Sequence, residues 1–237
     1  MPTDHHDNNL ARGGEAKSRR RIFLLSPANL AGIRAGYVLS AAGQSDVARR
    51  LRGGGVPLGE LFTFVSGLYF RGKLAYARAF SAPPLDMDGS FVITAGAGLV
   101  SPDAVVTLDR IREIAVNDID AGDRRYRAPL DRDCHLLEAR LGSDCDIVLL
   151  GSIATAKYVE PLLQVFSERL LFPAEFVGRG DMSRGGLMLR CVASRQELNY
   201  MPVLNAVRHG SRPPKLAPFA VVRTTKTLSA KPVPGRQ

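Results

Sequence analysis

The chain has 237 residues, 45% of them apolar, with three cysteines and a formal net charge of +9. That length and apolar content suit one large domain with tails and a substantial core, and no apolar run approaches the roughly 18 residues that span a bilayer, which excludes a membrane helix. Cys134, Cys145 and Cys191 are odd in number and form no Cys-x-x-Cys pair, which argues against a disulfide framework or a zinc site and for a reducing, cytoplasmic setting.

The charge sits at the two ends. Residues 1–21 carry five basic and three acidic side chains, residues 22–207 twenty of each, and residues 208–237 seven basic and none acidic. The expected organisation is a disordered leader over 1–21, a single α/β domain over 22–207, and a basic, proline-containing tail over 208–237. A basic tail is a footprint of nucleic acid or an anionic surface, and equally an ordinary solubilising tail. In the leader, His5-His6, Asn8-Asn9 and Gly13-Gly14 read as polar chain. Arg20-Arg21-Ile22-Phe23-Leu24 has the outline of a twin-arginine export signal, but Pro27, Asn29 and Arg34 interrupt the apolar stretch that should follow.

Residues 22–25 are a continuous apolar run, as in a strand covered on both faces. Ser45-Asp46 caps a short helix that runs to Arg52 and stops at Gly53-Gly54-Gly55. From Pro57 to Phe80 the spacing of Leu61, Phe64, Val65, Leu68 and Tyr69 predicts a helical region, weakened or divided by Gly67 and Gly72 and ended by Pro83-Pro84. A second strand covers 91–94. Thr107 caps a helix carrying Leu108, Ile111 and Ile114, and Asp118 to Arg127 reads as a surface loop. Pro129 starts a helix with the stripe Leu130, Cys134, Leu137 and Leu141, ended at Gly142. Residues 147–150 are a third strand, followed by a helix over about 155–168. Residues 170–177 are a fourth strand or extended segment, and a helix starts at Asp181. From Leu204 onward the prolines suggest a segment that wraps or leaves the domain. Alternating strands and helices predict a three-layer α/β fold, with a mostly parallel sheet of about four to five strands and helices on both faces.

Four Gly/Ser/Thr-rich segments follow the predicted strands. In a parallel sheet such segments gather at the strands' carboxyl ends, where ligands bind. After the first strand come Ser26 and Asn29, with Arg34 farther on; Asn29 suits a base or amide edge. After the second come Thr94, Gly96 and Gly98, small residues that permit close approach. After the third come Gly151, Ser152, Thr155 and Lys157, where a helix start offers hydroxyls and backbone N–H groups to an anion. Thr155 reads equally as an ordinary helix cap, and both roles are compatible. After the fourth come Arg179, Asp181, Ser183 and Arg184 among glycines, with arginines suited to bidentate contacts with carboxylate or phosphate. Asp181 is expected to cap the next helix, with a place in the site as the alternative. Arg71 and Lys73 place two cations near aromatics, an arrangement that fits either a nucleotide grip or a solvated helix face.

No catalytic group stands out. His135 falls in a helix stripe and reads as structural, while His209 lies in a basic, turn-rich stretch. Glu60, Asp103 and Asp181 are acids that hydrolysis would call on, and nothing selects among them. The P-loop spacing is absent, and Thr94–Gly98 lacks the third glycine and distal acid of a dinucleotide fingerprint, so neither a cofactor nor a metal is expected.

Phe91-Val92-Ile93-Thr94-Ala95-Gly96-Ala97-Gly98-Leu99-Val100-Ser101-Pro102-Asp103 is a strand entering a small-residue loop, a Gly-Leu pair and a Pro-Asp turn. Residues 147–158 are a strand entering a helix with Gly151 and Tyr158. Over about residues 66–190 the chain resembles the YaaA-like group of bacterial α/β proteins and its uracil-glycosylase-like relatives, although Ala97 stands where a tyrosine is common. The resemblance implies nucleotide or nucleic-acid association and carries over no catalytic residue. The expected function is binding of a nucleotide, nucleoside phosphate or nucleic-acid end at the strand-end loops, with chemistry at an N-glycosidic or phosphate linkage left open. The alternative is a non-enzymatic nucleic-acid-binding protein using its basic tail. Expected partners are thus a phosphate-bearing small molecule or a nucleic acid, with no membrane; the oligomeric state is not readable.

Overall fold

The computed structural model describes residues 19–216, so most of the expected leader and tail lies outside the described residues. One sheet has six strands in the order β4 (Leu99–Val100), β3 (Ser90–Ile93), β1 (Arg20–Leu25), β6 (Cys145–Leu150), β7 (Leu170–Pro173) and β8 (Tyr200–Pro202). The inner four run parallel, and the two edges are antiparallel. A separate two-stranded ribbon joins β2 (Val56–Pro57) to β5 (Val105–Val106). The sheet exceeds the expected strand count because β4 and β8 are only two and three residues long, too short to show alternation.

Successive residues of β1 feed opposite cores. Phe23 and Leu25 pack with α1 (Ile33–Leu39), α2 (Asp46–Gly53), α3 (Leu58–Ser66), α4 (Leu68–Phe80), α5 (Leu108–Ala115) and α8 (Asp181–Ser194). Ile22 and Leu24 pack with α6 (Arg124–Arg140) and α7 (Ala156–Phe166). This is the expected three-layer α/β fold. No helix among the described residues is long and apolar enough to cross a membrane.

Local signals set several boundaries. Ser45 accepts a hydrogen bond from Ala48 N at 3.2 Å, and Thr107 accepts one from Arg110 N at 3.3 Å, capping α2 and α5. Gly67, with φ of 60°, separates α3 from α4. Other expectations need correction. The first strand starts at Arg20, two residues before the apolar run, because Arg20 and Arg21 pair with Cys145 and Asp146. The Asp118–Arg127 loop ends early: Asp123 accepts from Arg125 N at 2.8 Å and caps α6, leaving Pro129 inside that helix. Helix α1 follows no clear cap or periodicity. The fourth strand stops at Pro173 and passes into a 3-10 turn over Ala174–Phe176.

Pro161 lies inside α7 and cannot donate to the carbonyl four residues earlier. That carbonyl belongs to Lys157, and the Tyr126 hydroxyl donates to it at 2.8 Å. A side chain of α6 thus replaces the backbone donor that proline removed and fixes the start of α7.

The connection leaving β1 passes through one helical layer, while β6 continues into α7 on the other. Adjacent parallel strands whose connections diverge open a crevice at their carboxyl ends. The crevice wall is completed by α4 against α8. A Cβ on Gly72 would sit 2.7 Å from the Gly185 carbonyl oxygen, and one on Gly185 would sit 2.8 Å from the Tyr69 Cα. The two backbones therefore touch, which brings the start of α8 beside Tyr69 and Lys73.

Candidate functional site

A cleft of about 560 Å³ opens at these strand ends. Ser26 and Asn29 after β1, Thr94 after β3, and Ser152 and Lys157 after β6 all line it, together with Asp181 from α8. Six of the residues expected at the site from sequence thus meet around one space. Asn29 Oδ1 accepts from Ala31 N at 2.9 Å and shapes the loop after β1. Thr94 Oγ1 donates to Gly98 O at 2.9 Å and accepts from Ala97 N at 3.0 Å, tying off the loop after β3. Ser152 Oγ accepts from Ala154 N at 3.3 Å.

The other residues expected at the site lie elsewhere. Gly96 leaves room for Asn117, whose Nδ2 is 2.4 Å from where a Cβ would stand. Gly98, at φ of 68°, fits against Asp133, which accepts from Leu99 N at 2.9 Å. Gly151 packs against Ser26. Thr155 is the N-cap residue of α7, but its side chain makes no capping bond. Arg34 lies over Gly67. Arg184 donates to the Phe176 carbonyl through Nε at 3.2 Å and Nη2 at 3.0 Å and pairs with Asp181 at 3.7 Å, so it braces the Ala174–Phe176 turn. Gly180, not Asp181, is the N-cap of α8; Asp181 belongs to the first turn and faces the cleft instead.

Sequence reasoning missed Phe62, Tyr69, Asn117, Asp118 and Tyr158, which also line the cleft. Asp118 looked like the start of a solvated loop, and Asn117, just before it, carried no signal of its own; both line the cleft where the chain leaves α5. Tyr69 sat in an apolar helical stripe, and Tyr158 stood out only in the resemblance over residues 147–158. His135 and His209 are both exposed, which corrects the structural role expected of His135.

Lys73 lies under the cleft floor and is fully buried. Its ammonium group donates to the Ser26 carbonyl and lies 2.9 Å from Ser26 Oγ. It also sits 4.3 Å from the centre of the Tyr69 ring and 5.0 Å from that of Phe70. Burial pulls its pKa down to about 7, opposed by Asp181 and assisted by Arg184. Ser26 Oγ in turn donates to the Leu150 carbonyl at 3.3 Å. The Tyr69 hydroxyl is buried without a hydrogen-bond partner among the described residues. Burial raises its pKa; Arg184 and Ser26 lie near enough to offset part of that rise, yet neither completes a bond.

The start of α8 divides this cleft from a second cavity of about 600 Å³. Arg71, Arg179, Arg190, Arg212 and Lys215 line that cavity with Ser183, and no carboxylate is among the described residues that line it. Arg179 Nη1 donates to Ser183 Oγ at 3.3 Å and to Pro214 O at 3.4 Å, tying the segment after β8 to α8, while its Nε is buried without a partner. The residues expected to grip one anion are therefore split between two adjoining spaces, Lys157 in one and Arg71 and Arg179 in the other.

Comparison with protein-family models, with curated proteins and with solved structures gives no match.

Proposed function

We propose that the strand-end cleft binds a phosphate-bearing small molecule, a nucleotide or nucleoside phosphate, and that the adjoining basic cavity accommodates further phosphates, as on a nucleic-acid end. The observation that carries this reading is the convergence of donors and acceptors at the β1–β6 crevice. Ser26, Asn29, Thr94, Asn117 and Ser152 supply hydroxyl and amide groups, while Phe62, Ile114 and Ile119 supply apolar surface for a flat ring. Helix α7 enters with Lys157 in its first turn, no acidic residue there, and no capping bond from the Thr155 side chain. Such a terminus favours an anion. The resemblance of residues 91–103 and 147–158 to YaaA-like proteins points the same way.

The second reading, nucleic-acid binding through the basic C-terminal region without chemistry, draws on the basic cavity, because residues 212–216 help build it. Thermal unfolding of the full chain with nucleoside monophosphates, sugar phosphates and short oligonucleotides separates the two. The cleft reading predicts stabilisation by one phosphate class, about 2.7 kcal/mol at 100 times the dissociation constant, lost in Lys157→Ala. The tail reading predicts stabilisation by oligonucleotides alone, steeply weakened by salt and lost on deleting residues 208–237.

A further inference from the structure

From the contact of Lys73 Nζ with Ser26 Oγ beneath the cleft, we infer that Ser26 is a nucleophile activated by Lys73 and that the protein cleaves a neutral carboxylic ester bound there. This goes beyond ligand binding and does not depend on what group recognises phosphate.

A serine hydroxyl needs a neighbouring base to become a nucleophile. Lysine serves only when neutral, and full burial, which strips water from the ammonium, favours the neutral amine. The pKa near 7 makes that form available at neutral pH. The charged and titratable groups acting on Lys73 are Asp181 and Arg184 of α8, with Tyr69 of α4 against it. Lys73 Nζ donates to the Ser26 carbonyl and, at 2.9 Å, to Ser26 Oγ; for catalysis the neutral amine accepts the hydroxyl proton across that same distance. Ser26 borders the cleft. Its present acceptor, Leu150 O at 3.3 Å, is distant enough for the hydroxyl to turn away. Tyr69 also lines the cleft; its hydroxyl is buried, has no partner among the described residues and is held protonated by burial, so it is a donor for the oxyanion.

The electrophile is a neutral carbonyl rather than an anionic phosphorus. Asp118 and Asp181 line the cleft, and Lys73 must be uncharged to act as base; Lys157, the one cation among the described lining residues, is the group proposed to hold a bound phosphate, and an uncharged carbonyl at Ser26 needs no such neutralisation. In the first step Ser26 Oγ bonds to the acyl carbon, its proton passes to Lys73, and the ester C–O bond breaks as the alkoxide takes that proton. Water then attacks the acyl-serine, gives a proton through Lys73 back to Ser26 Oγ, and leaves as the carboxylic acid.

The test is labelling of the full chain with a fluorophosphonate probe, mapped by peptide mass, alongside hydrolysis of p-nitrophenyl acetate and butyrate. Neither reagent offers a phosphate monoester for the cleft to recognise, so failure here leaves the phosphate reading standing, and failure of that reading leaves this one standing. The expected result is a single label on Ser26, absent in Ser26→Ala, slowed at least ~100-fold in Lys73→Met, with a labelling rate that rises with pH through about 7. A Tyr69→Phe variant should slow ester hydrolysis about tenfold or more while the labelling midpoint stays put. Should Lys73→Met fail to fold, the pH profile of the unaltered chain still decides. No label at pH 8.5, a label elsewhere, an undiminished label in Ser26→Ala, or a rate flat between pH 6 and 8 would each overturn the inference.

Discussion

Gly72 of α4 and Gly185 of α8 meet backbone to backbone: a Cβ on Gly72 would lie 2.7 Å from the Gly185 oxygen. No side chain fits between them. Because Tyr69 and Lys73 flank Gly72, and Asp181 and Arg184 precede Gly185, this crossing sets the wall between the cleft and the basic cavity. Gly72→Val or Gly185→Val should therefore cost about 1–3 kcal/mol by overpacking, and urea titration would measure it. A loss below ~0.5 kcal/mol would show that the helices do not touch there.

Lys73 gives the fold a pH dependence of defined sign. Its pKa is about 7 when folded, below the ordinary 10.5 of a free lysine, because burial disfavours the charge. Between these values the unfolded chain binds a proton that the folded chain does not. Stability should thus rise with pH across that window, by at most ~1.4 kcal/mol per pH unit, and its contribution should be gone below pH 7. Comparing the unaltered chain with Lys73→Met by urea titration between pH 7 and 9.5 isolates the slope. Parallel curves would contradict it.

Tyr126→Phe removes the donor that satisfies the Lys157 carbonyl left open by Pro161. A loss of about 1 kcal/mol is expected, read by thermal or urea unfolding. Because Lys157 stands in the same turn, affinity at the cleft should fall as well. Stability lost without any change in affinity would place the bond outside the site's support.

Gly98→Ala places a methyl 2.1 Å from Asp133 Oδ2 at a backbone φ of 68°. The clash and the left-handed backbone together should cost about 2 kcal/mol or more. Gly53→Ala, with nothing within 4 Å of its Cβ, is the matching control and should cost nothing measurable. Equal behaviour of the two would argue against the tight β3–β4 turn.

The strand ends were legible because each parallel strand is a short apolar run followed by small polar residues, as in Leu149-Leu150-Gly151-Ser152. That pattern is local, so Ser26, Asn29, Thr94, Ser152 and Lys157 could be placed together from sequence. Lys73 was read as a cation near aromatics, and its full burial was not legible, since the Gly72–Gly185 contact that encloses it joins residues 113 positions apart. Arg179 and Arg184 looked equivalent, yet Arg179 precedes α8 and lines the basic cavity, while Arg184, within α8, reaches back to the Phe176 carbonyl. Asp181 looked like a cap because Asp commonly precedes helices; Gly180 takes that place, which leaves the carboxylate to the cleft.

Calorimetric titration of the full chain with a nucleoside monophosphate and the matching nucleoside, repeated in Lys157→Ala, tests the central claim most directly. The account predicts that the monophosphate binds at least tenfold tighter, about 1.4 kcal/mol, and that this gap closes in Lys157→Ala while nucleoside affinity is kept. Equal affinity for the two ligands, or a gap untouched by Lys157→Ala, would contradict a phosphate site at the β1–β6 crevice.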